Sequence, residues 1–408
     1  MSATVSRRAV LASLSAFVAG AGRAGDPRVA VGLERVESGE GSLRGRRVGL
    51  VCHSASVTAG GRHAIDVLRG AGAHVARLFA PEHGLRGRAA AGEPVVGGVD
   101  AATGLPVVSL YSDAHAPTTA QLGDLDALVV DLQDAGVRFY TYVSTALLCL
   151  DPAAAAGVEV VVLDRPNPLG GEHTAGPERD PSRPFRLVSV APGPLVHGLS
   201  LGEMLLFANR RRSSPVRVRV VPLAGWERPM TWLDTGRDWT PPSPNLRTAE
   251  AALVYPGTCL LEGTNVSEGR GTDAPFLLLG APWLRAEEVA AAAPSPGLAL
   301  EPCRFAPAPG PAAPRPKHAG VECAGVRVRV TDPRAVRPWA FGLSLVSAIR
   351  RLHSRFEWLA DGAVLDGLLG TDRIRRALER RDAVEDILAA DRSAVERFER
   401  ERSEVLLY

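Results

Sequence analysis

A chain of 408 residues, 46% hydrophobic and 23% charged, has apolar residues enough for a large core and lies in the size range where one domain usually becomes two. Its formal net charge is only +2, and Arg7 and Arg8 contribute to it from a segment expected to be removed. No basic surface is left to hold a polyanion, so nucleic acid is excluded as an expected partner.

Residues 1–25 read as an export signal: Ser6-Arg7-Arg8, an apolar run from Ala9 to Gly22, then small residues suited to cleavage near Ala21 or Ala24. The basic flank is close to the twin-arginine pattern, and a general export signal has a similar one. The mature protein is expected outside the cytoplasm, in the periplasm, in the medium or at the cell wall. No later run approaches about 18 uninterrupted apolar residues, so no integral membrane segment is expected in the mature chain. The cysteines number five, and an odd count leaves at least one unpaired if all bonds are intramolecular. Cys303 and Cys323 flank a proline-rich loop and are the one pair to test for a bridge. No Cys/His spacing suits a structural zinc.

Between residues 46 and 169, short β-branched runs alternate with stretches of helical character, the pattern of βαβ units around a parallel sheet. The strands are Arg46–Cys52, Val75–Phe79, Pro106–Tyr111, Ala127–Leu132 and Glu159–Leu163, apolar enough for burial on both faces. Helices are expected at Gly61–Ala71 and Thr141–Ala156. Neither G-x-G-x-x-G after the first strand nor G-x-x-x-x-G-K-[ST] occurs, so the expected α/β fold is a Rossmann-like sheet without a nucleotide. A helix at Leu201–Arg211 and a strand at Val216–Val221 follow. The Trp- and Pro-rich stretch from Trp226 to Asn245 marks the domain boundary, giving a catalytic domain at 30–240 and an auxiliary domain at 241–408. The second part is less regular: a Pro/Ala-rich loop at Pro302–Pro316, a strand at Gly325–Val330, a helix around Leu343–Leu352, and charged amphipathic helices from Thr371 to Glu404.

In an open α/β sheet the ligand crevice lies beyond the carboxyl ends of the strands. Polar residues collect there: His53 and Ser54 after the first strand, Pro81-Glu82-His83-Gly84 after the second, Tyr111 after the third, Gln133-Asp134 after the fourth, and Asp164-Arg165-Pro166-Asn167-Pro168 after the fifth. Such a set suits a carbohydrate, whose hydroxyls pair with Asp, Asn, Gln and Arg while its faces pack on aromatics such as Tyr111, Tyr140, Tyr142 and Trp239. Glycoside hydrolysis needs a carboxylic acid beside the leaving oxygen and usually a second carboxylate. Glu82, bracketed by Pro81 and Gly84 in a partly apolar setting, is the first choice for the acid. The same residue could merely cap or pair at a strand end, Asp134 and Arg138 could contact substrate or be no more than an i,i+4 ion pair, and the proline-stiffened turn at 164–168 could be held by Asx hydrogen bonds alone. Two other chemistries stay open. His53, His83, Asp131, Asp134 and Asp164 could converge on a divalent ion in a metal-dependent hydrolase, although no tight ligand pair appears. Gly198-Leu199-Ser200-Leu201-Gly202 matches a nucleophile elbow, but no long apolar strand precedes it, and Ser200 with Glu203 reads better as a capping box.

The ordered motifs resemble the exo-β-N-acetylmuramidase (NamZ-type) family over about residue 30 to the end. Beyond the strand-end motifs, they include Thr103-Gly104-Leu105-Pro106-Val107, Gly136-Val137-Arg138-Phe139-Tyr140-Thr141-Tyr142, His197-Gly198, Pro242-Ser243-Pro244-Asn245, Tyr255-Pro256-Gly257, Glu262-Gly263-Thr264-Asn265, Gly269-Arg270-Gly271-Thr272, Gly280-Ala281-Pro282-Trp283 and Leu406-Leu407-Tyr408. The resemblance implies a Rossmann-like domain with a smaller α+β companion and a site in the cleft between them. It implies release of N-acetylmuramic acid from non-reducing ends of peptidoglycan fragments or muropeptides, and no cofactor. Glu82 falls where the family's acid is expected. Glu262 could supply a second carboxylate, and Asn245, Asn265 and Thr272 further polar groups. The resemblance also implies Arg270 as the clamp for the lactyl carboxylate that distinguishes muramic acid from glucosamine. The stretch from about Ala286 to Ala324 departs from the family pattern. A non-catalytic muropeptide-binding protein would use the same cleft without cutting.

Overall fold

A computed structural model describes residues 29–408, so the proposed export segment at 1–25 lies outside the described residues. Seven strands form the main sheet: β1 (Arg47–Cys52), β2 (His74–Ala80), β3 (Gly98–Val99), β4 (Pro106–Ser109), β5 (Ala127–Asp131), β6 (Glu159–Leu163) and β7 (Val218–Val221). Their order is β3-β4-β2-β1-β5-β6-β7. Every pairing is parallel except the β3–β4 edge. Without that edge the order is the doubly wound one, reversing between β1 and β5. Alternate residues of the central strands feed two cores: Leu128 and Val130 of β5 join the larger cluster, Ala127 and Val129 the smaller one on the other face. Burial on both faces is why these strands read as unbroken apolar runs.

Helices depart from the sequence pattern at points with identifiable causes. The one expected from Gly61 begins at Ala64, because His63 caps it by accepting the Ile65 N–H on its Nδ1. The one expected over Thr141–Ala156 is two, Thr141–Leu148 and Leu150–Ala156, meeting at Cys149. At Leu201–Arg210, Ser200 and Glu203 form the expected capping box, with Ser200 Oγ accepting the Glu203 N–H at 3.1 Å and Glu203 Oε2 accepting the Ser200 N–H at 2.9 Å.

The second half carries a three-stranded antiparallel sheet of β8 (Leu278–Ala281), β9 (Leu298–Phe305) and β10 (Cys323–Val330), ordered β8-β10-β9. Its β9 takes in Pro302 to Phe305, which the proline count assigned to a loop. Cys303 and Cys323 are not bridged, and all five cysteines are free. They sit on neighbouring strands but out of register, Cys303 opposite Gly325 and Cys323 opposite Phe305. Helix Ala249–Thr258 crosses helix Pro338–Leu352 through Gly257 and Gly342, where a Cβ on Gly257 would lie 2.1 Å from the Pro338 carbonyl. The larger core cluster runs from the main sheet into these helices, so the two halves share one apolar interior. The chain's end also returns to the first half: the Tyr408 hydroxyl donates to Asp164 Oδ2 at 2.7 Å and accepts the Leu223 N–H at 2.9 Å.

Candidate active site

The turn after β2 puts its carboxylate into a cleft by an unusual backbone path. His83 adopts φ +68° and Gly84 φ +74°, so a non-glycine residue occupies the left-handed region. The cost is offset locally: His83 Nδ1 is 2.8 Å from the Ala89 carbonyl, and the His83 carbonyl accepts the Arg88 and Ala89 N–H groups. The result turns Glu82 inward, where it is only 7% exposed. Glu82 Oε1 accepts the Gly92 N–H at 2.8 Å and Oε2 accepts the Thr141 hydroxyl at 2.7 Å, with Tyr111 on the same chamber wall. Burial, and then Glu82, push the Tyr111 phenol above its usual range. Tyr142 fixes the main chain, its hydroxyl being 3.2 Å from the Glu82 carbonyl and 2.7 Å from that of Pro242.

Glu82 borders an inner chamber of about 120 Å³ whose wall includes His83, Tyr111, Tyr140 and Thr141 from the sheet side and Asn245, Glu262 and Arg270 from the other half. It adjoins a wider outer cleft of about 630 Å³ between loop 90–94 and loop 312–317, with Glu262 and Arg270 common to both. Two buried polar atoms on the chamber wall, Tyr140 Oη and Asn245 Oδ1, have no partner among the described residues. They are acceptors or donors available to a polar ligand. Arg270 is held between two acids, Nη2 at 2.5 Å from Glu262 and Nε at 3.4 Å from Glu268, and the two glutamates keep its pKa above the ordinary arginine value against the opposing effect of burial. Lys317 meets Glu268 at 2.9 Å and also donates to the carbonyls of Leu261 and Val266.

Of the residues singled out from sequence, Glu82, His83, Tyr111, Tyr140, Asn245, Glu262 and Arg270 come together here. Others lie elsewhere, each for a definite reason. Arg138 is fully buried and donates to the carbonyls of Pro177, Gly193 and Leu369 at 2.8, 2.8 and 2.5 Å; it pairs neither with Asp134 nor with the cleft. Asp164 accepts from Ser200 Oγ at 2.6 Å, the Gly202 N–H at 2.8 Å and Tyr408, and so anchors a helix start and the chain's end. Asn167 accepts the Leu169 N–H and donates to Leu199, the Asx turn its sequence allowed. Asn265 ties down residues 355–357, and the Thr272 hydroxyl donates to Gly269 within its own turn. His53 is fully buried; its Nε2 accepts the Gln133 N–H at 3.0 Å and its ring packs edge-on to Tyr142, so both stand behind the chamber wall. Ser54 packs on Gly87, where an added Cβ would come within 2.5 Å of its Oγ. Trp239 is spent on Trp232 and the Leu246 carbonyl. Gln133 and Arg165 line a separate cavity.

Asp134 and His197 form a buried contact of 3.9 Å, yet not an ion pair. Burial raises the Asp134 carboxyl to about 7 and lowers His197 to about 3, so both are neutral over the intervening range. The metal-ligand set that sequence allowed does not assemble: Asp131 is taken bidentately by Arg165, Asp164 by the helix start, and among the described residues no three His, Cys, Asp or Glu side chains gather as ligands. Ser200 is occupied as a cap and as donor to Asp164, which removes it as a nucleophile. Thr141, Ser243, Tyr255, Phe276, Glu268 and Lys317 were missed. Thr141 lies next to Tyr140 in its motif, Ser243 in the motif that holds Asn245 and Tyr255 in Tyr255-Pro256-Gly257, so motif membership was the available signal for these three.

Comparisons with known proteins bear on the family. The model of the N-terminal domain of exo-β-N-acetylmuramidase NamZ matches residues 48–250 and that of its C-terminal domain residues 253–408. The chain is 37% identical over 388 residues to the peptidoglycan β-N-acetylmuramidase NamZ of Bacillus subtilis strain 168, covering 94% of this chain and 92% of that one. Two solved DUF1343-family structures from Bacteroides fragilis NCTC 9343 superpose with TM-scores of 0.83 and 0.74 at 30% and 29% identity, each over 93% of this chain and 99% of the other. The chain therefore belongs to the exo-β-N-acetylmuramidase NamZ family, and both of that family's domains are present in it.

Proposed function

We propose that this protein is a glycosidase that removes N-acetylmuramic acid from the non-reducing ends of peptidoglycan fragments, with Glu82 as the proton donor to the leaving oxygen. The observation that carries the reading is the placement of Glu82: a buried carboxyl oriented by Gly92 and Thr141 at a chamber that opens into a wider cleft. The Glu82 chamber opens into a cleft of about 630 Å³, and the two together give room for a terminal sugar at their junction with the rest of the fragment outside, the geometry of an exo-acting enzyme. Glu262, from the other half, is the second carboxylate at the chamber; Arg270 fixes its position and leaves its remaining guanidinium edge for the sugar's lactyl carboxylate. His83 and Tyr140 position and enclose the ring, and Asn245 offers its free Oδ1 to a sugar N–H or O–H. The segment 1–25, read as an export signal, would deliver the enzyme to this substrate outside the cytoplasm.

The test is product analysis on muropeptides labelled at the reducing end. An exo-acting muramidase shortens each chain by one N-acetylmuramic acid from the unlabelled end; internal cleavage, or release of N-acetylglucosamine first, would contradict the assignment.

A further inference from the structure

Ligands of open α/β sheets bind beyond the carboxyl ends of the strands where the order reverses. Here the reversal lies between β1 and β5. The cavity above it is separate from the Glu82 chamber: it measures about 280 Å³, draws on the segments after β1, β5 and β6, and shares no lining residue with the chamber or the outer cleft.

Its walls are polar, and both of its arginines are already neutralised. Arg165 is bidentate on Asp131 at 2.5 and 3.0 Å, and Arg237 binds both Glu34 oxygens at 3.0 and 2.8 Å. Each guanidinium has five N–H donors, so both keep donors beyond these pairs. Gln133 is 2% exposed and gives both amide protons to the carbonyls of Asp134 and Pro166, while its Oε1 has no partner among the described residues. A buried acceptor left in that state costs free energy that a ligand hydroxyl would recover. Asp238 is exposed, with no ion-pair partner among the described residues. Trp232 spends its indole N–H on the Arg237 carbonyl at 3.1 Å and offers its ring as the apolar part of the wall.

We infer that this cavity is a second saccharide site, taking one neutral, hydroxyl-rich ring of N-acetylhexosamine size. Paired arginines give donors without net positive charge, the unpaired Asp238 disfavours anions, and Asp238 with Gln133 supplies acceptors for sugar hydroxyls. The volume lies just below the roughly 300 Å³ at which small-ligand pockets usually begin, which fits a single ring and not a chain. Gln133 also links the cavity to the chamber wall, since its N–H is held by His53, which packs on Tyr142.

The full chain labelled with 5-fluorotryptophan provides the test, because no tryptophan lines the Glu82 chamber or the outer cleft. The Trp232 resonance is assigned from the Trp232→Phe spectrum, and the protein is titrated with N-acetylglucosamine and separately with glucuronate. A saturable shift of Trp232 with the neutral sugar, weakened about tenfold in Asp238→Ala through loss of one charge-assisted hydrogen bond and absent with glucuronate, is the expected result. No saturable shift, equal affinity in Asp238→Ala, or equal response to glucuronate would each overturn it. If Trp232→Phe does not fold, calorimetric titration of the unsubstituted chain and Asp238→Ala with the same sugars reads the same loss.

Discussion

Arg138 looked from sequence like a substrate contact, and its surroundings make it a structural clasp whose removal has a calculable cost. The side chain is fully buried, has no carboxylate of the described residues within ion-pair distance, and ties together three loops through the carbonyls of Pro177, Gly193 and Leu369. Burial lowers its pKa only to about 10, so it is charged at neutral pH. Arg138→Met keeps much of the volume and deletes all three bonds. At about 1.5 kcal/mol or more per bond to a charged donor, the loss is about 5 kcal/mol. The guanidinium no longer has to be desolvated, which offsets part of it, and roughly 3 kcal/mol of destabilisation remains. Urea unfolding of the variant beside the unsubstituted protein measures this directly, with KM determined on the folded fraction. A midpoint unchanged within about 0.5 kcal/mol together with a severalfold rise in KM would refute the structural role and restore Arg138 as a ligand of the substrate.

The neutral pair of Asp134 and His197 has opposite linkage terms. Between about pH 4 and 7 the folded chain keeps the Asp134 proton that the unfolded chain has lost, so this group lowers stability as pH rises; from about pH 3 to 6.5 the unfolded chain alone protonates His197, so that group raises it. Asp134→Asn leaves the histidine term alone, and urea midpoints should then climb with pH across that window by up to about 1.4 kcal/mol per unit, while the unsubstituted protein stays flatter; equal slopes in the two proteins would contradict the pairing. Gly257→Ala should destabilise by several kcal/mol or block folding, since its Cβ would meet the Pro338 carbonyl at 2.1 Å; an unchanged unfolding midpoint would mean the two helices do not cross there.

The first sheet was legible because its strands are buried on both faces and its helices begin at caps with recognisable chemistry, as at Ser200. The strand-end rule found Glu82, and the family motifs found Arg270, Glu262 and Asn245. It also drew in Asp164, Asn167 and Arg138, which have the same composition as site residues and sit beside them in sequence. Their roles depend on groups far away, Tyr408 at the chain's end and the carbonyl of Leu369, that no local pattern reveals. The partition of the strand ends into two separate cavities was equally hidden, because no local pattern says which strand end lines which cavity. The proline-rich stretch at 302–316 misled for a simpler reason: Pro302 and Cys303 continue an outer strand of the small sheet, a place where proline is tolerated.

The most direct measurement is the rate of sugar release from a β-1,4-linked MurNAc–GlcNAc disaccharide by the purified protein and by Glu82→Gln, each with and without EDTA. Release that persists in EDTA and falls by orders of magnitude in the variant, with disaccharide binding retained, is the predicted result. Release by Glu82→Gln at the unsubstituted rate would remove Glu82 as the acid, and loss of release in EDTA alone would place the chemistry on a metal that this site was not assigned.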